Sequence, residues 1–339
     1  MSPVRIAVLG SGSIAEYHLA ALARIPEASL RVVTSRSIAK ARALAQRFAI
    51  PDASDDVTAT LNREDIDAVI VTTPDDSHEE LTIAALQAGK SVLVQKPMAA
   101  TAAACERMRA AATSTGRSLE VSFMHRYFDE VEAAQQLLAS GVVGKVTSVR
   151  VRNATPGPDW SDWVYRRKTC PAGVVLQLGI HGIDLIGVMF GSIKTVSARV
   201  ATLVPVRALA DGRRITAETP DTAFALYEMT SGCLVHHEMS MIETAGTSRF
   251  RMEIQGALGT LTLRTERGPL ALYTASSGVW EMPELPDTLL GLRHHRLWID
   301  SLLGRADMCD TARAGAWGLR VAEAILRSGE LDGQSTSVM

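Results

Sequence analysis

What this chain has little of narrows its class before any motif is read. Cysteine occurs four times, at Cys105, Cys170, Cys233 and Cys309, with no C-x-x-C pair and no histidine at metal-ligand spacing. Such scatter builds neither a disulfide framework nor a zinc site; it reads as reduced, mostly buried thiols and no bound metal. Positive charge is not in excess: 35 Lys and Arg stand against 37 Asp and Glu, a net charge of −2. No global basic field is present to hold a phosphate backbone, so no nucleic-acid partner is expected. No apolar run approaches the roughly 20 residues of a membrane span, so no membrane partner is expected either. The run from Val4 to Leu9 is far too short for a secretory core and ends in glycine, which leaves a cytoplasmic location as the expectation. Internal repeats and low-complexity segments are also lacking. What remains, 47% apolar and 21% charged residues over a length of 339, suits a compact protein of two ordinary domains.

Along the first third, short β-branched runs alternate with alanine-rich amphipathic stretches. Arg5–Leu9, Leu30–Thr34, Ala68–Thr72, Ser91–Val94 and Leu119–Phe123 read as strands; Ile14–Arg24, a stretch through Ala39, Ala43 and Phe48, Glu79–Ala88 and Ala102–Thr113 read as helices. Strands and helices in this alternation imply βαβ units and a parallel sheet buried on both faces. From about residue 145 the texture changes. Val146–Val151, Val196–Val204, Thr222–Glu228, Cys233–Met239, Phe250–Gln255 and Thr260–Arg264 read as strands joined by hairpin turns, with two clear helices at Val174–Phe190 and Arg313–Arg327. The expectation is an α/β protein: an N-terminal Rossmann domain with a parallel doubly wound sheet over residues 1–123, and a C-terminal α+β domain with a large, mostly antiparallel sheet over 124–339. A sheet with so few helices needs another cover for its second face, and pairing into a homodimer or homotetramer through that sheet supplies one.

The first strand runs at once into Gly10-Ser11-Gly12-Ser13-Ile14-Ala15. Gly10 permits a tight turn, Gly12 lets the backbone approach a pyrophosphate, and Ala15 allows helix and strand to pack closely. The N–H groups at the helix start, around Ser13 and Ile14, then face the anion. A dinucleotide is therefore the expected cofactor. At the end of the second strand an NAD-preferring site carries Asp or Glu for the ribose hydroxyl, whereas this chain has Thr34-Ser35-Arg36-Ser37, with Lys40 one turn on. A guanidinium there favours a 2′-phosphate, so NADP(H) is preferred over NAD(H) as the expectation. The alternative is that Arg36 stacks on adenine or faces solvent.

Two further segments carry a resemblance. One is Thr73-Pro74-Asp75-Asp76-Ser77-His78 followed by Gly89-Lys90-Ser91-Val92-Leu93-Val94-Gln95-Lys96-Pro97; the other is Ala172-Gly173 through Gln177, His181 and Asp184. With the glycine turn and His18, they resemble the Gfo/Idh/MocA family of oxidoreductases, over nearly the whole chain. The resemblance implies a cofactor domain and a sheet domain with the active site in the cleft between them. It also implies hydride transfer between NAD(P) and a hydroxyl or carbonyl carbon of a sugar, inositol or related polyol. Thr73, Pro74, His78, Gln95 and Lys96 are then candidate cofactor contacts. Lys96 matches the lysine of the family's Glu-Lys-Pro motif and His181 the histidine of its Asp-x-x-x-His pair. Gln95 and Gln177 depart from the pattern, standing where Glu and Asp are usual.

Gln177 and His181, four apart on an expected helix, share one face. An imidazole can pass a proton to or from the reacting oxygen as hydride moves. Lys96 can stabilise charge on that oxygen, and the Gln177 amide can hold a hydroxyl but exchanges no proton. Lys96, His181 and Gln177 are thus the expected catalytic and substrate-facing groups. Arg126 and Tyr127, just after the Leu119–Phe123 strand, join them as substrate candidates. Trp163 and Arg166 lie in a loop that crowds Trp160, Trp163 and Tyr165 with Arg166, Arg167 and Lys168, able to stack on a sugar face and pair an anion, or simply a solvated loop. The pairs His236-His237 and His294-His295 read as strand neighbours facing opposite ways, with no role assigned. The departures at Gln95 and Gln177 also admit a cofactor-binding regulator without catalysis. A further variant in the family is a glycosidase that cycles tightly held NAD.

Overall fold

The computed structural model describes residues 2–244, 249–266, 268–307 and 310–338; Cys309 lies outside them. Two compact units are present, Met1–Met124 with Thr288–Ala316, and His125–Asp287 with Trp317–Met339.

In the first unit, β1 (Val4–Leu9), β2 (Ala28–Thr34), β3 (Asp52–Ser54), β4 (Ala68–Val71), β5 (Ser91–Gln95) and β6 (Leu119–Ser122) form an all-parallel sheet in the order β3-β2-β1-β4-β5-β6 among the described residues. This is the doubly wound order whose strand sequence reverses beside β1. The central strands have no polar face because both faces are covered: Ile6 to Leu9, Ala68 to Val71 and Val92 to Val94 are all buried. The helices between them are α1 (Ser13–Leu22), α2 (Ile38–Arg47), α3 (Val57–Leu61), α4 (His78–Gln87) and α5 (Ala102–Thr115). Ser37, Asp56 and Thr101 cap α2, α3 and α5 by accepting from the N–H three residues on. The short β3 had no apolar alternation to announce it; its side chains are exposed or half-buried at the sheet edge.

The expected division at 123/124 needs one correction. Residues 288–316 join the first unit rather than the second, because α8 (Leu292–Leu302) buries Trp298 and Ile299 in the core shared by Ile6, Val8, Leu19 and Leu22. This helix also overturns the strand reading of His294-His295, since both rings are fully buried on its inner face.

The second unit begins with α6 (Asp129–Ala139) and is organised around β7 (Val146–Ala154), β8 (Ile193–Ala201), β11 (Thr222–Met229), β12 (Leu234–Ser240), β13 (Phe250–Gly256), β14 (Gly259–Arg264), β15 (Leu270–Thr274), β16 (Trp280–Glu281) and β17 (Thr336–Ser337). Their order is β16-β15-β14-β13-β7-β12-β11-β8-β17, antiparallel except for the parallel β7–β12 pair; β9 (Val206–Ala208) and β10 (Arg214–Thr216) form a separate hairpin. One face is dry. Ala223, Ala225 and Tyr227 of β11 and Val235, His237 and Met239 of β12 point into the core, whereas Phe224, Leu226 and Leu234 are about half exposed on the other.

The expected helix Val174–Phe190 is two pieces. Val175–Gly179 is wound as a π-helix, and α7 (Ile180–Phe190) follows. Glycines let the assembly sit hard on the sheet: a Cβ at Gly179 would lie 2.4 Å from Met239 Sδ, and one at Gly182 would lie 2.5 Å from His237 Nε2. Asn153 of β7 donates to the Leu178 carbonyl at 2.8 Å, tying the widened turn to the sheet. α9 (Thr311–Glu330) is the last helix; its Trp317 packs against Gly187 of α7.

Candidate active site

The glycine turn has the geometry its motif requires. Gly10 sits at φ +117°, and a Cβ there would be 2.4 Å from Thr72 Oγ1 and 2.7 Å from the Thr72 carbonyl, so β4 abuts the turn too closely for any side chain. Gly12, at the start of α1, has the opposite surroundings, with nothing within 4 Å of an added Cβ. No side chain caps α1, leaving the first-turn N–H groups of Ser13 and Ile14 directed to the open side, and Ala15 is fully buried against the sheet. An uncapped helix start beside an open glycine fits a pyrophosphate. At the end of β2, Ser11 Oγ donates to Ser35 Oγ at 2.8 Å, while Arg36 is exposed and makes no ion pair among the described residues.

Around Lys96 the arrangement is tighter. β5 ends in Gln95, 3% exposed, whose amide nitrogen lies 2.7 Å from His18 Nε2 and 3.3 Å from Ser122 Oγ, while its Oε1 accepts from the Lys96 N–H at 3.1 Å. His18 Nδ1 in turn lies 2.7 Å from His295 Nε2. The Gln95 side chain is therefore engaged inward. His78 is held by the protein in a similar way. Its buried ring faces the Pro97 and Thr73 carbonyls, each at 2.8 Å, and so braces the strand ends. Burial pushes the His78 ring below the ordinary histidine value while the two carbonyls pull it back up; a neutral ring donates to only one of them. Thr73, Pro74 and Lys96 stay half-buried.

In the second unit, His181 opens α7 and is 2% exposed. His125 lies face to face with it, centroids 4.1 Å apart and planes 18° apart. Gln177, in the π-helical turn, donates to Cys170 Sγ at 3.3 Å. Arg126 grips Asp184 of α7 with both arms of its guanidinium, Nε to Oδ2 at 2.8 Å, in a pair that is nearly buried. Burial lifts the Asp184 carboxyl above its ordinary value against the pull of Arg126. The structure thus gives Arg126 a partner on α7, and Tyr127 beside it is half-buried. In the aromatic loop, Trp163 is half-buried and 6.4 Å from the more exposed Trp160, and Arg166 pairs with Asp162 at 3.2 Å and Glu218 at 3.0 Å. These pairs tie Arg166 both to its own loop and to the segment before β11. Among the described residues no group of three or more His, Cys, Asp and Glu comes together to hold a metal ion. Three cysteines, Cys105, Cys170 and Cys233, are buried free thiols.

In the sequence His125 stands out only as the neighbour of Arg126 and Tyr127 after the sixth strand, and His295 and Cys170 do not stand out as site residues at all. His125 had the signal of lying just after β6; His295 and Cys170 had none, because their partners are distant in sequence or weakly bonding.

A family model described as an oxidoreductase family with an NAD-binding Rossmann fold matches residues 4–123, and the Gfo/Idh/MocA C-terminal domain model matches residues 131–262. The chain is 26% identical over 343 residues to D-glucoside 3-dehydrogenase of Escherichia coli (strain K12), covering 97% of this chain and 96% of that one. It is 30% identical over 269 residues to dTDP-3,4-didehydro-2,6-dideoxy-alpha-D-glucose 3-reductase of Streptomyces violaceoruber, covering 79% and 75%. A solved levoglucosan dehydrogenase, in complex with NADH and L-sorbose, superposes over the full length of both chains with a TM-score of 0.90 at 21% identity.

Proposed function

The chain belongs to the Gfo/Idh/MocA family of NAD(P)-dependent oxidoreductases, and from that premise we propose that it moves a hydride between NADP(H) and a hydroxyl or carbonyl carbon of a sugar or polyol-like substrate. The observation that carries this reading is the pairing of an uncapped helix start at an open Gly12 with a lysine held at the end of β5. Gly10, Gly12 and the start of α1 would hold the dinucleotide, which would supply the hydride chemistry. Lys96 places positive charge at the substrate oxygen, where negative charge grows as a carbonyl is reduced. His181 gives that oxygen its proton in reduction and removes it in oxidation, so that one hydride and one proton are exchanged per turnover. Gln177, whose amide nitrogen donates to Cys170 Sγ, can hold a substrate hydroxyl but exchanges no proton.

The preference for NADP(H) over NAD(H) rests on Arg36, exposed at the end of β2 in a segment without an acidic residue. Arg36→Ala is expected to weaken NADPH binding about tenfold or more and leave NADH within about twofold, the loss of one charge-assisted contact. Fluorescence titration of the two reduced cofactors checks it. The reaction itself is tested by following nicotinamide absorbance across a panel of sugars, inositols and glycosides. Tight binding with no turnover on any of them, and no change from Lys96→Ala, would support a regulator instead; cofactor that co-purifies and cycles without net absorbance change would mark a glycosidase. The half-exposed Phe224, Leu226 and Leu234 support pairing of two or four copies through the outer face of the large sheet, which light scattering on the purified protein reads directly. The buried free thiols suit work in the reducing cytoplasm. No helix of the described residues is long and apolar enough to cross a membrane.

A further inference from the structure

The polar contacts behind Lys96 have a direction that follows atom by atom. At one end, His295 Nδ1 lies 2.7 Å from the Gly291 carbonyl, and a carbonyl only accepts, so Nδ1 carries the proton. A neutral His295 then has a bare Nε2, which accepts from His18 Nδ1–H at 2.7 Å. That leaves His18 Nε2 bare, and it accepts from the Gln95 amide at 2.7 Å. The other end gives the same answer independently. The Lys96 N–H only donates, so it fixes Gln95 Oε1 on its side and turns the NH2 group toward His18, with the second amide hydrogen reaching Ser122 Oγ. Both ends demand one polarity, every bond is made, and neither imidazole is charged.

A carboxylate at position 95 cannot join this chain. It would accept from Lys96 N–H but could only accept from His18, forcing the proton onto His18 Nε2. His18 Nδ1 and His295 Nε2 would then meet lone pair to lone pair unless one extra proton entered. We propose that His295, His18 and Gln95 are a charge-neutral positioning chain for Lys96, in which the glutamine at 95 is matched to the histidine at 295. The importance of holding Lys96 rests on the function proposed above; the proton count of the chain does not. The setting suits a neutral chain. Burial is the main cause that holds His18 well below the ordinary histidine value, with His295 and His294 adding to it, and burial brings His295 to about 4. The titratable neighbours are Tyr17 on α1, its ring 5.3 Å and 5.6 Å from the two imidazoles, and His294 on α8, 5.0 Å from His295; burial pushes the Tyr17 phenol up, so it is uncharged.

The tautomers are read by ¹⁵N NMR of histidine side chains in the intact wild-type protein. Both rings are expected as Nδ1–H, unchanged between pH 7 and 9, with His295→Phe assigning the pair. Gln95→Glu is expected to bring in one imidazolium with both nitrogens protonated. Because that proton is needed only in the folded state, the stability of the variant falls as pH rises. Its midpoint should drop relative to wild type by roughly 3 °C or more between pH 7 and 9. The double substitution Gln95→Glu/His295→Gln supplies an amide donor to His18 Nδ1, needs no extra proton, and should remove both the imidazolium and most of that pH dependence. An Nε2–H tautomer or a cation at His18 in the wild type overturns the proposal, as does a Gln95→Glu protein with no imidazolium and a flat midpoint. Absence of turnover on every sugar would sink the functional reading and leave these spectra unaffected.

Discussion

The two units hold their histidines in opposite ways. His18 and His295 meet edge to edge, planes 83° apart with nitrogens 2.7 Å from each other, and the outer edges are bonded to Gln95 and Gly291. His125 and His181 lie face to face, planes 18° apart. An imidazole bonded at both edges has its protons fixed by the fold, and it cannot exchange one without breaking a buried bond. Stacking holds a ring by its faces. On the function proposed above, the edge-bonded pair would position Lys96, and His181 of the stacked pair would carry the proton.

The largest effect should fall on the stacked ring. His181→Asn keeps the size and polarity of the side chain but removes the proton carrier, and a loss of about 10²–10⁴ in kcat/KM is expected. Lys96→Ala should follow at about 10²–10³. Steady-state kinetics on the best substrate of the panel, with cofactor affinity measured separately, distinguishes these from a binding defect. If His295→Phe cost more than His181→Asn while the protein stayed folded, the contrast between the two pairs would break.

How far the sequence reveals this contrast depends on the distance over which each residue acts. The run Ile6–Leu9 and the glycines after it are legible because a central parallel strand and a tight turn each impose a local pattern. α8 is not, because its inner stripe carries His294 and His295 where an apolar residue is expected, and the partner of His295 is His18, 277 residues away. Gln95 reads as a departure from a family pattern, and only the packed histidines explain it. Val174–Phe190 reads as one helix. Its π-helical opening comes from contacts with Met239, Asn153 and Pro220, none of which leaves a mark in the helix itself.

Acid offers the next test. His18 and His78 are held below, and His295 at about 4, by burial in the first unit, against an unfolded value near 6.5. A depressed folded value means the stability is fully present above pH 6.5 and is lost as pH falls toward 4, since the unfolded chain binds protons first. For His295 alone the loss is on the order of 3 kcal/mol. Amide exchange in α1, β5 and α8 should therefore accelerate together on acidification. The strands β11 and β12, in which His237 is the one buried histidine, held by burial at about 3, should respond to one buried proton rather than several. Equal slopes in the two regions would remove the claim that the first unit links its histidines.

The smallest effect is expected where the second unit uses the first unit's device. His237 is bonded at one edge, its Nδ1 2.9 Å from the Tyr227 hydroxyl, and it lies directly beneath Gly182, the neighbour of His181. Proximity to His181 would make it a candidate for chemistry, but its bonded edge and complete burial argue for support. Burial pushes the Tyr227 phenol far above its ordinary value, so the hydroxyl keeps its proton and shares a neutral hydrogen bond with Nδ1. Tyr227→Phe removes that hydrogen bond without changing the packed volume much. It should cost about 1 kcal/mol, a fall of roughly 2–4 °C in the thermal midpoint, and leave kcat within about twofold. A larger kinetic effect at unchanged stability would mean that a hydrogen bond beneath α7 reaches the stacked pair, and that edge-bound and face-bound imidazoles are not separate devices in this unit.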